Sequence, residues 1–246
     1  MLSTTWTPTA VASSAARVAL RAWRAVEAQH RVSTIRLVDS LEEQAELERL
    51  LDDSKPAQSD TPPGLHWLLA TPFRYPPLPQ GSRFRGPAEP GVFYGADERR
   101  TACAELGYWR WRFLQDSPAL VALQALSQTL FIASIDALAV DLREPPFSGD
   151  AAAWQHPLDY GPCQAFARVA RAAGIAAIRY LSVRDPQAGG CVAVLVPQAF
   201  VAADLAEQAW RLTVTRTRVF WHRDSALHAE SFEFDAAAWR ATLTAG

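Results

Sequence analysis

The stretch SRFRGPAEPGVFYGADERRTACAE, residues 82–105, decides the fold of this chain because it passes from loop to strand to helix. Its beginning is rich in glycine and proline, which favour turns and extended backbone. GVFYG reads as a short apolar strand, and we expect Asp97 to cap a helix that continues to about residue 115. Arg83 and Arg85 of the loop, Tyr94 of the strand and Glu105 of the helix therefore lie on one loop–strand–helix unit. Loops commonly present binding groups.

Glu105 occupies a particular place on the predicted helix. Ala102, Leu106, Trp109 and Phe113 form the apolar stripe that we expect to face the core. At 100° per residue, Glu105 lies about 60° from the centre of that stripe. Such a carboxylate can face a cleft, although an ordinary glutamate at the edge of a surface helix is the commoner meaning of the pattern.

The patterns outside this stretch mix helices and strands. GPCQAFARVARAAG predicts a helix that ends at Gly174, and IAAIRYLS predicts a strand that ends at Ser182. We further expect strands at 65–70, 128–135, 137–142, 191–196 and 213–222, and a helix at 205–210. Because no regular alternation of strand and helix appears, the predicted class is α+β, with short mixed or antiparallel strands flanked by helices.

The first 60 residues predict a helical N-terminal extension. SLEEQAELERLLDD opens with a capping box formed by Ser40 and Glu43, and its leucines share one face. A connector rich in Pro, Ser and Asp follows at 54–64. The predicted division is therefore an extension at 1–60 and a main domain at 61–246.

Composition narrows the function classes. A chain of 246 residues that is 49% hydrophobic and has nine Trp can bury a core without disulfides or a metal. The three Cys and five His show no metal-ligand spacing, and an odd Cys count favours a reducing compartment. The N-terminus lacks signal-peptide character and polar residues interrupt the longest apolar run, so we expect a cytoplasmic protein without a membrane span. A net charge of −2 argues against direct nucleic-acid binding.

Candidate ligand-binding side chains lie on irregular backbone. Arg74, Arg83 and Arg85 each lie near Pro or Gly, and arginine forks suit phosphate or carboxylate, although solvated surface arginines look the same in sequence. Tyr75 and Tyr94 offer aromatic faces that could hold a flat ring or could simply pack.

Ser182 is the remaining candidate. It ends a predicted strand but does not lie in a GxSxG elbow, so a Ser-His-Asp hydrolase is weakly supported and a capping serine is the alternative. The glycines of the 81–95 loop form neither GxGxxG nor a P-loop, and no nucleotide-binding motif follows from them.

Three segments in a fixed order carry a family resemblance. FRYPP, GSRFRGPAEPGVFYGADERRTACAE and IRYLSVRDPQAGGCVAVLVPQAF together resemble the RES domain, which is named for its Arg, Glu and Ser. The segment from Trp23 to Pro56 is similar to the N-terminal extension of longer members. The resemblance covers about residues 23 to 200, whereas 201–246 match nothing recognisable.

The resemblance implies a fold and an activity. RES-domain proteins are toxins of bacterial toxin–antitoxin pairs, are similar in fold to ADP-ribosyltransferase toxins, and degrade NAD by hydrolysis or phosphorolysis. The family's functional positions fall here on Arg74 (followed by Tyr75), Arg83, Tyr94, Glu105 and Ser182. The sequence FRG after Ser82 and Arg83 departs from a common Trp-Asn pair, which makes Arg85 an added candidate phosphate contact.

This resemblance implies one reaction. The arginines would hold the two phosphates of NAD, and Tyr94 or Tyr75 would hold the cationic nicotinamide ring. Glu105 would stabilise the positive charge that develops on the ribose, while Ser182 would hydrogen-bond the nicotinamide ribose or amide. NAD is then the substrate, water or inorganic phosphate is the attacking group, and no cofactor or metal is implied.

The resemblance also implies a partner, and alternatives stay open. An NAD-consuming enzyme needs a neutralising antitoxin, which in this family carries a helix-turn-helix DNA-binding part, so any DNA binding would be indirect. Both a homo-oligomer and a toxin–antitoxin hetero-oligomer agree with the sequence. The competing functions are an ADP-ribosyltransferase with a macromolecular acceptor, a ribonuclease toxin that uses the arginines, and a binding module without activity.

Overall fold

The computed structural model describes residues 6–28, 40, 43, 61–74, 79–201, 205–225 and 229–244. Its α-helices are α1 (Pro8–Ser13), α2 (Trp67–Arg74), α3 (Arg99–Gln115), α4 (Ala151–Trp154), α5 (Gly161–Ala172) and α6 (Ala236–Thr244). Its strands are β1 (Ala16–Glu27), β2 (Phe93–Ala96), β3 (Leu123–Asp141), β4 (Ala177–Leu181), β5 (Gly190–Val194), β6 (Ala206–Val214), β7 (Arg218–Arg223) and β8 (Ser231–Asp235). The predicted α+β class, with mostly antiparallel strands and flanking helices, is confirmed.

The strands form one sheet in the order β1-β2-β5-β4-β3-β6-β7-β8, and β1 also pairs with β3. The first five strands in this order therefore pair in a closed cycle. Only β3 and β4 pair in parallel; the other pairs are antiparallel among the residues described. Strand β3 is long enough to belong both to this cycle and to the β6–β8 extension.

The prediction of a helical N-terminal extension is wrong for Ala16–Glu27. This segment is strand β1, which pairs with β3 from Ala16 opposite Ala139 to Glu27 opposite Gln128. Its alternate side chains Val18, Leu20 and Ala22 pack into the core inside the cycle. The helical prediction rested on the leucine pattern at 40–53, which does not extend back to β1.

Most of that leucine pattern lies outside the described residues. The capping bond itself is present, since the Ser40 hydroxyl accepts a hydrogen bond from the Glu43 amide at 3.1 Å. The predicted boundary at residue 60 also falls outside the described residues and stays a prediction.

Four local predictions differ from the structure. Within LHWLLA, residues 67–70 form the start of α2, and the His66 carbonyl accepts hydrogen bonds from the amides of Leu69 and Ala70. Residues 206–210 belong to strand β6, and residues 128–141 form one continuous part of β3 rather than two strands. The N-cap of α3 is Glu98 rather than Asp97, whose carboxylate instead accepts hydrogen bonds from arginines.

The buried side chains form three clusters, and α3 joins two of them. One cluster lies around α5, a second lies inside the strand cycle, and a third lies between α3, the β6–β8 extension and α6. Within the described part of the chain, no helix combines the length and apolar character needed to cross a bilayer.

Candidate functional site

The shortest link among the predicted site residues joins Ser182 to Glu105. The Ser182 hydroxyl donates a hydrogen bond to Oε1 of Glu105 over 2.5 Å, although the residues are 77 positions apart. Glu105 lies in the first half of α3, and Ser182 follows directly after β4. The structure thus brings the predicted glutamate and serine together.

The loop from Ser182 to Gly189 is built around the serine side chain. Ser182 Oγ accepts hydrogen bonds from the amides of Arg184 and Asp185 at 3.1 and 2.9 Å. The Ser182 amide in turn donates to the Gly189 carbonyl at 2.8 Å. At Gly189, an added Cβ would lie 2.0 Å from Oγ1 of Thr101 on α3, so only glycine allows the loop to lie this close to the helix. The Ser182 hydroxyl is therefore fixed toward Glu105.

Arg184 is a buried arginine that the sequence analysis did not single out. It is 2% exposed, and its guanidinium carbon lies 3.7 Å from the centre of the Tyr108 ring. Its Nη2 donates to the Pro157 carbonyl at 2.6 Å and to the Tyr160 hydroxyl at 3.2 Å, but its buried Nη1 has no hydrogen-bond partner among the described residues. A buried charged donor without a partner is costly, and a ligand acceptor would satisfy it.

Arg83 is a second buried guanidinium near the carboxylate. Its Nη1 donates to the carbonyls of Trp154 and His156 at 2.9 and 3.1 Å, and its guanidinium carbon lies 4.7 Å from the centre of the Tyr160 ring. Nη2 of Arg83 is buried and, in the described part of the molecule, unpaired. Tyr160 thus contacts both arginines, and the charges of both act on the Glu105 carboxyl.

Tyr94 holds the turn that carries Arg83. Its hydroxyl lies 2.7 Å from Oγ of Ser82 and accepts a hydrogen bond from the Phe84 amide at 2.9 Å. Burial raises the pKa of Tyr94 to about 12. Arg85, at the end of this turn, donates from Nε to the Glu89 carbonyl at 3.0 Å. In this structure Tyr94 positions the arginine loop; contact of its ring with nicotinamide stays a prediction, as does phosphate binding by Arg85.

The Glu105 carboxyl has an elevated pKa. Burial raises it, and the hydrogen bond from Ser182 and the charges of Arg184 and Arg83 offset only part of that rise. A second carboxylate nearby, Asp185, adds to the rise. The result is a desolvated carboxylate near two arginines, at a place where electrostatic interactions are stronger than in water.

An open cleft of about 320 Å³ lies beside this cluster. Arg184 and Tyr160 line it together with Tyr108, Trp109, Arg112 and Leu158. Glu105 does not line the cleft, but it lies one turn before Tyr108 on α3. It therefore belongs to the same helix face as the cleft residues of α3. A volume near the lower end of ligand pockets fits one part of a dinucleotide, not the whole.

The predicted core stripe of α3 is only partly correct. Ala102 is buried, but Trp109 and Phe113 are 51% and 52% exposed. Tyr108, Trp111 and Leu114 are buried in their place. The helix is rotated from its predicted orientation because the β6–β8 extension and α6 cover the Tyr108 side, which leaves Trp109 at the cleft.

The remaining predicted residues are not joined to this cluster by any contact described above. Arg74 was expected on an extended loop but is the last residue of α2, which packs on the backbone at Gly91 before β2. Tyr75 lies outside the described residues. The roles of Arg74 and Tyr75 stay predictions. In the described ranges, no group of three or more His, Cys, Asp or Glu side chains is placed to hold a metal ion.

Sequence reasoning missed five residues that line the cleft: Arg184, Tyr160, Tyr108, Arg112 and Leu158. Arg184 carried a usable signal, because it lies two positions after Ser182 in the segment that bears the family resemblance. Tyr160 gave none, since its contact with both arginines depends on the position of the loop before α5.

Among the comparisons with known proteins, the family match agrees with the order of the sequence motifs. No curated protein matches the chain. Among solved structures, a chain of the M. tuberculosis MbcT–MbcA toxin–antitoxin complex aligns over 94% of this chain and 92% of its own length, with 11% sequence identity and a TM-score of 0.45. The family model described as the RES domain matches residues 56–215, which include Arg83, Glu105 and Ser182. This chain therefore belongs to the RES domain family.

Proposed function

We propose that this chain is the toxin of a bacterial toxin–antitoxin pair and that it cleaves the nicotinamide–ribose bond of NAD in the cell that makes it. One observation carries the proposal: the part-buried Glu105 carboxylate accepts a 2.5 Å hydrogen bond from Ser182 and is acted on by the charges of Arg184 and Arg83, each of which has a buried nitrogen without a partner among the described residues. Membership in the RES domain family supports the same assignment.

The arginines suit an anionic dinucleotide. Arg184 and Arg83 each offer one buried guanidinium nitrogen that has no acceptor in the described part of the chain, and phosphate oxygens are strong acceptors for guanidinium. The half-exposed aromatic ring of Trp109 in the adjoining cleft offers a surface on which a flat ring can stack. Arg112 at the cleft adds positive charge where the rest of the dinucleotide would extend.

The carboxylate suits the chemical step. When the ribose C1–N bond breaks, its electron pair leaves with nicotinamide, which becomes neutral and needs no general acid. The ribose becomes oxocarbenium-like, and the Glu105 carboxylate stabilises that positive charge. A water or phosphate oxygen then forms the new C1–O bond, and a water nucleophile releases its proton to Glu105 or to solvent. Ser182 keeps Glu105 in place by its hydrogen bond.

The neutralising partner follows from this activity. A chain that consumes NAD harms its own cell, so we expect an antitoxin that covers the cleft and carries a helix-turn-helix DNA-binding part. The exposed Trp109 and Leu158 at the cleft give such a partner an apolar contact. Co-expression of the adjacent open reading frame should restore growth and inhibit the purified enzyme.

The test is product analysis of NAD incubated with the purified chain, with and without inorganic phosphate. Free ADP-ribose indicates hydrolysis, a phosphorylated ADP-ribose indicates phosphorolysis, and label attached to protein or RNA indicates transfer to a macromolecule. Glu105→Gln keeps the shape and the acceptor for Ser182 but removes the charge, so it should lower nicotinamide release by at least about 1000-fold. Because it also removes a desolvated charge, this variant should unfold at a higher temperature than the native chain at neutral pH. Native turnover by Glu105→Gln would refute the proposed mechanism.

A further inference from the structure

The C-terminal elements β7, β8 and α6 lie beyond residue 215, where the family match ends. They nevertheless contact the loop that carries Ser182. Nε1 of Trp239 on α6 donates a buried hydrogen bond to the Arg184 carbonyl over 2.7 Å. Trp239 is 2% exposed, so both partners of this bond are shielded from water.

The same indole also contacts the residue under the Arg184 side chain. The rings of Trp239 and Tyr108 meet edge to face with their centres 5.7 Å apart, and Arg184 lies on the Tyr108 ring. Arg184 is therefore held at its backbone by Trp239 and at its guanidinium by Tyr108. Loss of the indole N–H would leave the buried Arg184 carbonyl without this donor.

A second contact runs from β8 to the same loop. Arg100 on α3 lies 5.0 Å from the centre of the Phe234 ring and forms an ion pair with Asp185. Asp185 also accepts a hydrogen bond from Thr101 Oγ1 at 2.8 Å. The C-terminal elements thus contact, directly or through Arg100, the two residues whose amides bind Ser182 Oγ.

We propose that Trp239 is a positioning residue: its indole N–H holds the Arg184 carbonyl so that Ser182 stays hydrogen-bonded to Glu105 and the Arg184 guanidinium stays at the cleft. The C-terminal elements, which lie outside the family match, therefore help to hold the site residues in position. The catalytic readouts below rest on the proposed function, whereas the exchange readout does not.

Trp111 provides a matched control. It lies in the same buried cluster, 5.8 Å from Trp239 between ring centres, and its indole N–H donates to a carbonyl at 3.1 Å. That carbonyl belongs to Arg216 and not to the Ser182 loop. Trp111→Phe and Trp239→Phe therefore remove the same kind of bond and a similar volume, and both should lower the melting temperature.

The first readout is hydrogen exchange of the amides at 182–189 without substrate. Trp239→Phe should accelerate exchange there relative to the native chain and to Trp111→Phe. Equal exchange of this peptide in the two variants would overturn the inference. This comparison holds even if the native chain fails to cleave NAD, an outcome that would overturn the proposed function alone.

The second readout is kinetic. Trp239→Phe should lower kcat about 10-fold, while Trp111→Phe should stay within about 2-fold of the native value. The acid limb of the pH–rate profile should move to higher pH in Trp239→Phe alone, because a looser Ser182 bond lowers the pKa of Glu105 less. In Trp239→Phe the charge of a displaced Arg184 would also lower the pKa of Glu105 less, which moves the acid limb in the same direction. The other groups that act on Glu105 are not substituted in either variant: Arg83, Asp185, Tyr180 and Cys191. Equal kcat losses and equal profiles in the two variants would overturn the inference.

A closer isostere guards against a variant that does not fold. Replacing Trp239 by 3-benzothienylalanine keeps the ring shape and substitutes sulfur for the N–H group. Faster exchange at 182–189 in this protein supports the positioning role, and native exchange rates there refute it.

Discussion

Two clusters contain both arginine and carboxylate, and they differ in whether the arginines form ion pairs with the carboxylates. In the first, Arg143 donates from Nε and Nη2 to Asp141 at 2.8 and 2.7 Å and from Nη1 to Asp97 at 3.3 Å. Arg179 contacts the same two carboxylates. In the second, the Glu105 carboxylate receives its hydrogen bond from Ser182, while Arg83 and Arg184 form no ion pair with a carboxylate among the described residues. Each of these two arginines has one buried nitrogen without a partner there, as has Arg179 of the first cluster.

The pKa values of the carboxyls follow this difference. At Asp141, burial favours a higher pKa, but the hydrogen bonds and charge of Arg143 outweigh it and hold the pKa below its ordinary value. At Glu105, burial prevails and the pKa is raised. Ion pairing between arginine and carboxylate therefore stabilises structure in the first cluster, whereas guanidiniums without a carboxylate partner keep their charge available to a ligand in the second.

The largest expected effect separates the two clusters by substitution. Arg184→Met keeps the apolar stem but removes the donors at the cleft, and it should lower kcat/KM for NAD by about 100-fold or more. Arg143→Met should instead cost about 1–2 kcal/mol of unfolding free energy and leave kcat/KM within about 2-fold. Steady-state kinetics and thermal unfolding of both variants check this. If Arg184→Met kept the native kcat/KM, Arg184 would have no role in ligand binding that Arg143 lacks.

A smaller effect appears in pH dependence. Because Glu105 acts as a carboxylate with a raised pKa, kcat/KM should fall on acidification at a pH above about 4.3, the ordinary value for glutamate. Ser182→Ala removes the hydrogen bond that lowers this pKa, so it should move the acid limb to higher pH and reduce kcat about 10-fold. An acid limb that stays in place in Ser182→Ala would show that this bond does not tune Glu105.

Stability should follow pH in opposite directions at the two carboxyls. Asp141 has a lowered pKa in the folded state, so its stabilisation is present above the unfolded pKa and is lost as pH falls through the folded value. Glu105 has a raised pKa, so its contribution is present at low pH and is lost as pH rises through the folded value. Both directions can be checked by measuring the free energy of unfolding of Asp141→Asn, Glu105→Gln and the native chain across pH.

The smallest effect concerns the rim of the cleft. Trp109→Ala should raise KM for NAD about 3- to 5-fold with little change in kcat or stability, because the ring is half exposed and lines the cleft. Trp67 is similarly exposed at 48% but lies on α2 outside the cleft lining, so Trp67→Ala should leave KM unchanged. Equal KM values for the two variants would exclude ring stacking on Trp109.

Glu105 and Ser182 are the part of the site that could be predicted from the order of the motifs in the sequence. Glu105 and Ser182 were singled out on separate segments, and they meet because α3 and the end of β4 lie side by side. The helix ending before Gly174 was predictable as well, since glycine tolerates the φ of +72° found there. These features depend on local pattern.

What sequence reasoning missed depends on distant contacts. Strand β1 became a strand through pairing with β3, more than 100 residues away, and no local pattern encodes that partner. The orientation of α3 depends on coverage by α6, which buries Tyr108 and leaves Trp109 exposed. Asp97 was expected as a helix cap, but ion pairing with arginines from two other segments prevailed.

Strand β3 pairs along one edge with β1 and along the other with β6. During synthesis, β1 leaves the ribosome long before β3 has been made. The strand cycle can therefore close only late, through pairing between distant segments, and such non-local pairing slows folding. A polypeptide trimmed to 56–215 would lose β1 and uncover about twelve residues of β3 backbone, a template for intermolecular strand addition. Such a fragment should precipitate, and residues at both termini belong in any version prepared for study.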